Sequence, residues 1–216
     1  MARGNGRMTI FEDDRDYRSF LALLGDVLQE YAIDCWNYCL MPNHYHCTLQ
    51  PNLPNLSEAM QHVNGVYAQR WNKRHDRVGH VFQGRFKDQI VQREGYLPYL
   101  CRYVALNPVR AKLVAAPEEW EWSSYSATIG LRPAPAFLNV ASTLSQFDPG
   151  DERALQTRFK SFVCGDPDEV LEERFRSNEA IVGDLKFKTS FRPLTAQDPS
   201  AGVALAGGCE GAVMEA

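Results

Sequence analysis

A chain of 216 residues, 44% of them hydrophobic and with a net charge of −4, has room for one core and a smaller appendage. No apolar run approaches eighteen residues, which excludes a long membrane-spanning helix, and the opening "MARGNGRMTIFEDD" lacks the apolar stretch of a secretion signal. The six cysteines form no C-x-x-C pair, so a cytoplasmic protein with reduced, mostly buried thiols is expected rather than a disulfide scaffold.

In chain order, Asp13 or Asp14 can cap a helix. Tyr17, Phe20, Leu24, Val27 or Leu28 and Tyr31 then recur at helical spacing, which predicts a first helix over about 14–31. The run "IDCWNYCLM" alternates Trp36, Tyr38 and Leu40 and predicts a strand. Pro42-Asn43 is a turn signal, and "HYHCTLQ" is the returning strand, ended by Pro51 and Pro54. A second helix starts near Asn55 or Ser57, with Leu56, Met60, Val63, Tyr67 and Trp71 as its buried stripe. "HVFQGRFKDQIVQ" has strand-like pieces on either side of Gly84. A third helix covers about 95–106, with Pro98 tolerated in its first turn, and Pro108 marks its end or a kink. "EEWEWSSYSATIG" leads into a short helix, "RPAPAF" reads as a boundary, and residues 136–185 predict short acidic helices. The Gly/Ala-rich end predicts a disordered tail.

Charge is segregated along the chain. From His62 to Ala115 there are ten Lys/Arg against three Asp/Glu; from Ala116 onward there are nine against sixteen. The net charge alone argues against nucleic acid, but a basic middle beside an acidic end is charge segregation, and it bears on partners.

Side chains alternate along a strand, so His44, His46, Thr48 and Gln50 share one face and Tyr45, Cys47 and Leu49 the other. The two imidazoles are then about 7 Å apart along the strand and can lean toward one cation. Two histidines alone are better explained as a polar strand face, because a metal site needs further ligands. The third helix offers Tyr103 and Asn107, four apart and therefore on one helical face. Tyr96 and Tyr99 lie on the same stripe, and spacing does not choose among the three tyrosines.

Four blocks, "MPNHYH", "NGVYAQRWNKRHDRVGHVFQGRFK", "YLCRYVALNPVRAKLV" and "WSSY", together resemble the single-tyrosine HUH transposases, most closely the insertion-sequence type and the REP-associated tyrosine transposases. The resemblance implies an α+β fold, a ferredoxin-like antiparallel sheet with helices packed on one face. It implies a catalytic domain over 1–130, followed by an acidic helical extension over 131–190 and a disordered tail over 191–216. It further implies that His44, His46 and Asn107 hold Mg²⁺ or Mn²⁺, and that Tyr103 is the nucleophile. The implied reaction is nicking and rejoining of single-stranded or hairpin DNA during transposition of short repeat elements, with the protein acting alone or as a homodimer and without a membrane. Arg70, Lys73, Arg74, Arg77, Arg85 and Lys87, with Arg102 and Arg110, are the candidate DNA-binding residues, and Trp71, Phe82 and Phe86 could stack on bases.

Two features depart from that pattern. The family opens with a strand of the form "YHVTSRGN", whereas this sequence starts at its "ARGN" end, so the histidine strand is expected to lack a neighbour on one side. Lys112 stands where the family has a glycine after "NPVRA". The missing strand keeps open a second reading, a DNA-binding protein with the fold but without the chemistry. A His-x-His hydrolase unrelated to DNA is disfavoured, because the nearest acid after the histidines is Glu58.

Overall fold

The Asp13 carboxylate accepts a hydrogen bond from the Arg15 amide and starts helix α1, Asp14–Glu30, in a computed structural model that describes residues 1–177 and 179–191 and the backbone of Ala212–Glu215. The helix buries Tyr17, Phe20, Leu24, Val27 and Leu28, the stripe expected from their spacing. A short strand, β1 (Ala2–Arg3), precedes it. The hairpin follows as β2 (Ile33–Met41) and β3 (His44–Pro51), turning at Pro42-Asn43. Helix α2 is Leu56–Arg74, β4 is Gln89–Gln92 and α3 is Arg93–Ala105. Of the strand pieces expected around Gly84, only the one after it becomes a strand; Phe82 makes a single bridge to Gly4.

Register in the hairpin slips between Cys35 and Asn37, so Trp36 is an extra residue in β2. The bulge changes which residues share a face. Cys35, Tyr38 and Leu40 join Tyr45, Cys47 and Leu49 against α1 and α2, whereas Trp36, Cys39 and Met41 pack on the α3 side. The simple alternation of Trp36, Tyr38 and Leu40 is therefore broken at Trp36. The α+β class is as expected, but helices cover both faces: α1 and α2 lie on one, and α3 lies on the other, where the histidines project.

The "WSSY" block clamps the outer edge of β2. Ser124 Oγ accepts from the Tyr38 amide at 3.0 Å and donates to Asn37 Oδ1 at 2.9 Å, and Trp120 Nε1 donates to Leu40 O at 3.0 Å. Helix α4 (Asn107–Arg110) precedes the block, and from the block's last residue onward come α5 (Tyr125–Thr128), α6 (Val140–Leu144), α7 (Glu152–Cys164), α8 (Glu169–Arg176), β5 (Ile181–Val182) and α9 (Leu185–Ser190). The buried apolar side chains of these later elements pack on the α3 side of the sheet, in two clusters apart from the one under α1 and α2. Thr143 Oγ1 donates to Trp36 O at 2.7 Å, Phe159 packs with Trp36 and Cys101, and β5 pairs parallel with β4.

The bare edge expected beside the histidine strand is covered. On that side β3 pairs with β1 at His44 and Tyr45 and with β6 (Ala212–Glu215) at Thr48 and Leu49. Both run antiparallel to β3, so they stand end to end in one direction, with His46 and Cys47 between their paired positions. β6 also pairs with β4 from Gln89 to Gln92, and the sheet closes in the order β1-β3-β6-β4-β5 with β2 outside β3. Backbone amides and carbonyls in a buried strand need partners, and the C-terminal segment supplies them. Of the tail expected to be disordered, Ala212–Glu215 is this strand; residues 192–211 and 216 lie outside the described residues.

Lys112 adopts φ +57°, the left-handed conformation. The turn after α4 requires it: Lys112 N donates to Val109 O at 2.9 Å and Leu113 N to Pro108 O at 3.0 Å. A side chain in this conformation costs about 1 kcal/mol relative to glycine. Lys112→Gly is therefore expected to raise the thermal midpoint by about 2–4 °C. An unchanged or lower midpoint in differential scanning calorimetry would show that the turn does not carry this strain.

Candidate active site

On the α3 side of the sheet a cleft of about 640 Å³ is lined by His44, His46, Tyr103 and Asn107. Arg3, Phe86, Lys87, Asp88, Gln89, Phe175, Arg176, Ser177 and Ala180 form part of its wall and rim. Strand alternation puts both histidines here and Tyr45 in the opposite core. Their rings lie 5.1 Å apart at 77°, closer than the backbone spacing alone, because the side chains lean together.

His44 is partly buried, and its Nδ1 is 2.7 Å from Asn43 Oδ1. An amide oxygen only accepts, so Nδ1 carries the proton and the Nε2 lone pair is left to act as a ligand. Burial, reinforced by His46 and Arg3 beside it, lowers the His44 pKa to about 3 and keeps the ring neutral near pH 7. His46 is 4% exposed and stands edge-on to Tyr103, with ring centroids 6.0 Å apart at 88°.

Tyr103 comes from the last full turn of α3 and is 7% exposed. Arg110 holds it from the next helix: its Nη1 donates to Tyr103 O at 2.8 Å, and its guanidinium lies 5.2 Å from the ring centroid. Asn107 Nδ2 donates to the same carbonyl at 3.1 Å. That bond fixes the amide orientation and leaves Oδ1 as an acceptor. The other two tyrosines are elsewhere. Tyr99 packs on Phe162 at 5.3 Å, and Tyr96 lies under Arg174 at 5.4 Å. Of the three, Tyr103 is the one that lies against His46 and lines the cleft.

Two imidazoles and an amide oxygen line the cleft and would offer a cation a donor set without a carboxylate. Among the described residues no group of three His, Cys, Asp or Glu side chains is arranged to hold a metal ion, so a cation here would draw its remaining ligands from water or a phosphate. The fixed His44 tautomer and the oriented Asn107 amide fit such a cation.

The candidate DNA-binding residues divide. Arg70, Lys73, Arg77, Arg85 and Lys87 are exposed, and Lys87 lines the cleft. Arg74 is committed to Asp13 and to Asp16, which is 2% exposed, and ties α2 to α1. Arg102 is 3% exposed and donates to Gly165 O, a structural role. Arg110 is half-buried and engaged with Tyr103 and Glu172. Of the candidate stacking rings, Trp71 is in the core and Phe82 packs against Tyr45, which leaves Phe86 at the cleft. Sequence reasoning missed Arg3 and the contribution of Phe175, Arg176, Ser177 and Ala180; the acidic balance of the C-terminal half hid the latter.

Residues 1–107 match the family model described as transposase, IS200-like, a range that includes His44, His46, Tyr103 and Asn107 and ends at α4. No curated protein and no solved structure matches the chain significantly. With its α+β fold and this match over 1–107, the chain belongs to the IS200-like transposase family, whose members act on DNA.

Proposed function

We propose that this chain cuts and rejoins single-stranded DNA, with Tyr103 as the nucleophile and His44, His46 and Asn107 holding Mg²⁺ or Mn²⁺. The observation that carries this reading is the contact chain His44–His46–Tyr103 in one cleft, at 5.1 and 6.0 Å, with Asn107 bonded to the Tyr103 carbonyl. Lys87 and Arg3 on the rim suit a phosphate backbone.

In this reading the Tyr103 oxygen attacks the scissile phosphorus and the bond to the 3′ oxygen breaks. The products are a 5′-phosphotyrosine and a free 3′-hydroxyl; attack by another 3′-hydroxyl reverses the step. Phenol is a poor nucleophile when protonated. The Arg110 guanidinium, 5.2 Å from the ring centroid, favours the anionic oxygen that attacks. Phe175, at 5.7 Å, and the Arg110 bond to Tyr103 O hold the ring in place, so little reorganisation precedes attack. A bound divalent cation would supply neutralisation of charge on the phosphoryl oxygens. Two nitrogen donors favour Mn²⁺ over Mg²⁺.

The alternative of a DNA-binding protein without chemistry rested on an incomplete sheet. β1 and β6 fill that place, and all four site residues are together, so no observation now favours it. The test is incubation with single-stranded oligonucleotides from the flanking locus plus Mn²⁺, separated on a denaturing gel. A covalent protein–DNA band that forms with single strands and not with the matching duplex is expected; its absence with every oligonucleotide would refute the reading.

A further inference from the structure

The family match ends at residue 107, yet part of the cleft wall comes from beyond it: Phe175, Arg176, Ser177 and Ala180. This wall is braced at both ends. Asp168 caps α8 by accepting from the Leu171 amide at 3.0 Å. Phe175, 4% exposed, seats the helix against Tyr103. After the helix, Gln89 Nε2 donates to Ser177 O at 3.0 Å and Glu179 O at 2.8 Å, and Ile90 N donates to Ala180 O at 2.8 Å. Arg176 therefore projects from a fixed backbone at the edge of the Tyr103 cleft.

Its charge is incompletely matched. Glu172, 6% exposed, accepts from both Arg110 and Arg176, the latter at 3.2 Å, so one carboxylate serves two guanidiniums. The second partner of Arg176, Glu173, is 3.7 Å away with its side chain 74% exposed, a pairing that solvent screens. The Arg176 side chain is itself 48% exposed and can turn toward a ligand. Among the described residues that line the cleft, Arg3, Lys87 and Arg176 accompany one acid, Asp88. A guanidinium fork suits two oxygens of one phosphate.

We propose that Arg176 binds a backbone phosphate of the single strand lying against Tyr103, with Glu172 as the positioning residue that holds it there. The assignment rests on the function proposed above. It makes α8 part of the DNA-handling surface although its segment is acidic overall: Glu172 serves as an internal brace, and the phosphate-facing charge is the arginine. An arginine that bridged only to its own helix would stabilise α8 and leave DNA binding untouched.

The experiment measures single-stranded oligonucleotide binding by fluorescence anisotropy across a salt series, for the full chain and for Arg176→Gln, Arg176→Lys and Glu173→Gln. Arg176→Gln is expected to weaken binding about tenfold and to flatten the dependence of log affinity on log salt by about 0.7, one released counterion for a single strand. Arg176→Lys should restore the slope, because it restores the charge, but only part of the affinity, because it lacks the fork. Glu173→Gln should bind at least as tightly as the parent. Thermal midpoints, read on the same samples, should stay together. Equal affinity and slope for Arg176→Gln, while the parent chain still forms the covalent adduct, overturns the role of Arg176 alone. A parent chain that neither binds the strand nor links to it overturns the proposed function, and this assignment with it.

Discussion

Tyr103→Phe is expected to abolish the covalent protein–DNA adduct, a loss of about a thousandfold or more, while binding of single strands changes less than twofold. The substitution removes one oxygen and leaves the ring, so the contacts with His46 and Phe175 survive. Uncatalysed background is all that remains when a covalent nucleophile is deleted. Tyr99→Phe and Tyr96→Phe should cleave as the parent does, because those rings pack on Phe162 and under Arg174 instead. An adduct that persists in Tyr103→Phe would remove the nucleophile from the account. So would a loss of adduct equal to a loss of binding.

Replacing a histidine is expected to have the next largest effect. His44→Ala and His46→Ala should each lower the cleavage rate about a hundredfold or more and raise the Mn²⁺ concentration needed for half-maximal rate. His44→Ala is the cleaner variant, because His44 is partly exposed whereas His46 is 4% exposed and its removal leaves a hole beside Tyr103. Excess EDTA should bring the parent chain to the level of the variants, with activity restored by added Mn²⁺. Full cleavage in EDTA, or a His44→Ala variant with an unchanged Mn²⁺ dependence, would take the cation out of the mechanism.

The hairpin and the helices around it were legible because each has a short-range signal, and spacing also anticipated which side chains share a face, whereas the set His44, His46, Tyr103 and Asn107 was singled out by the family resemblance. The turn at Pro42-Asn43 sets the register that puts His44 and His46 on one face, and four-residue spacing puts Tyr103 and Asn107 on another. The choice of Tyr103 over Tyr96 and Tyr99 needed the packing of α3 against the sheet, since all three share one helical stripe. The bulge at Trp36 had no sequence signal that alternation could expose, and it sends Trp36 to the face opposite Tyr38. Longer-range facts were hidden altogether. Arg74 and Arg102 look like members of a basic block until the carboxylate of Asp16 and the carbonyl of Gly165 are seen beside them. The strand at Ala212–Glu215 lies in a Gly/Ala-rich stretch with no strand pattern, and its place comes from the edges it pairs with, β3 at Thr48 and Leu49 and β4 from Gln89 to Gln92. Lys112 went the other way: the departure from glycine marked a place where the backbone does take a left-handed turn.

The central claim is that Tyr103, beside the two histidines, forms the bond to DNA. The most direct measurement is peptide mapping of the covalent adduct after nuclease and protease digestion, by tandem mass spectrometry. A nucleotide linked through its 5′-phosphate to Tyr103 is the result expected. A nucleotide on Tyr96, Tyr99 or any other side chain, or a linkage through a 3′-phosphate, would contradict the account.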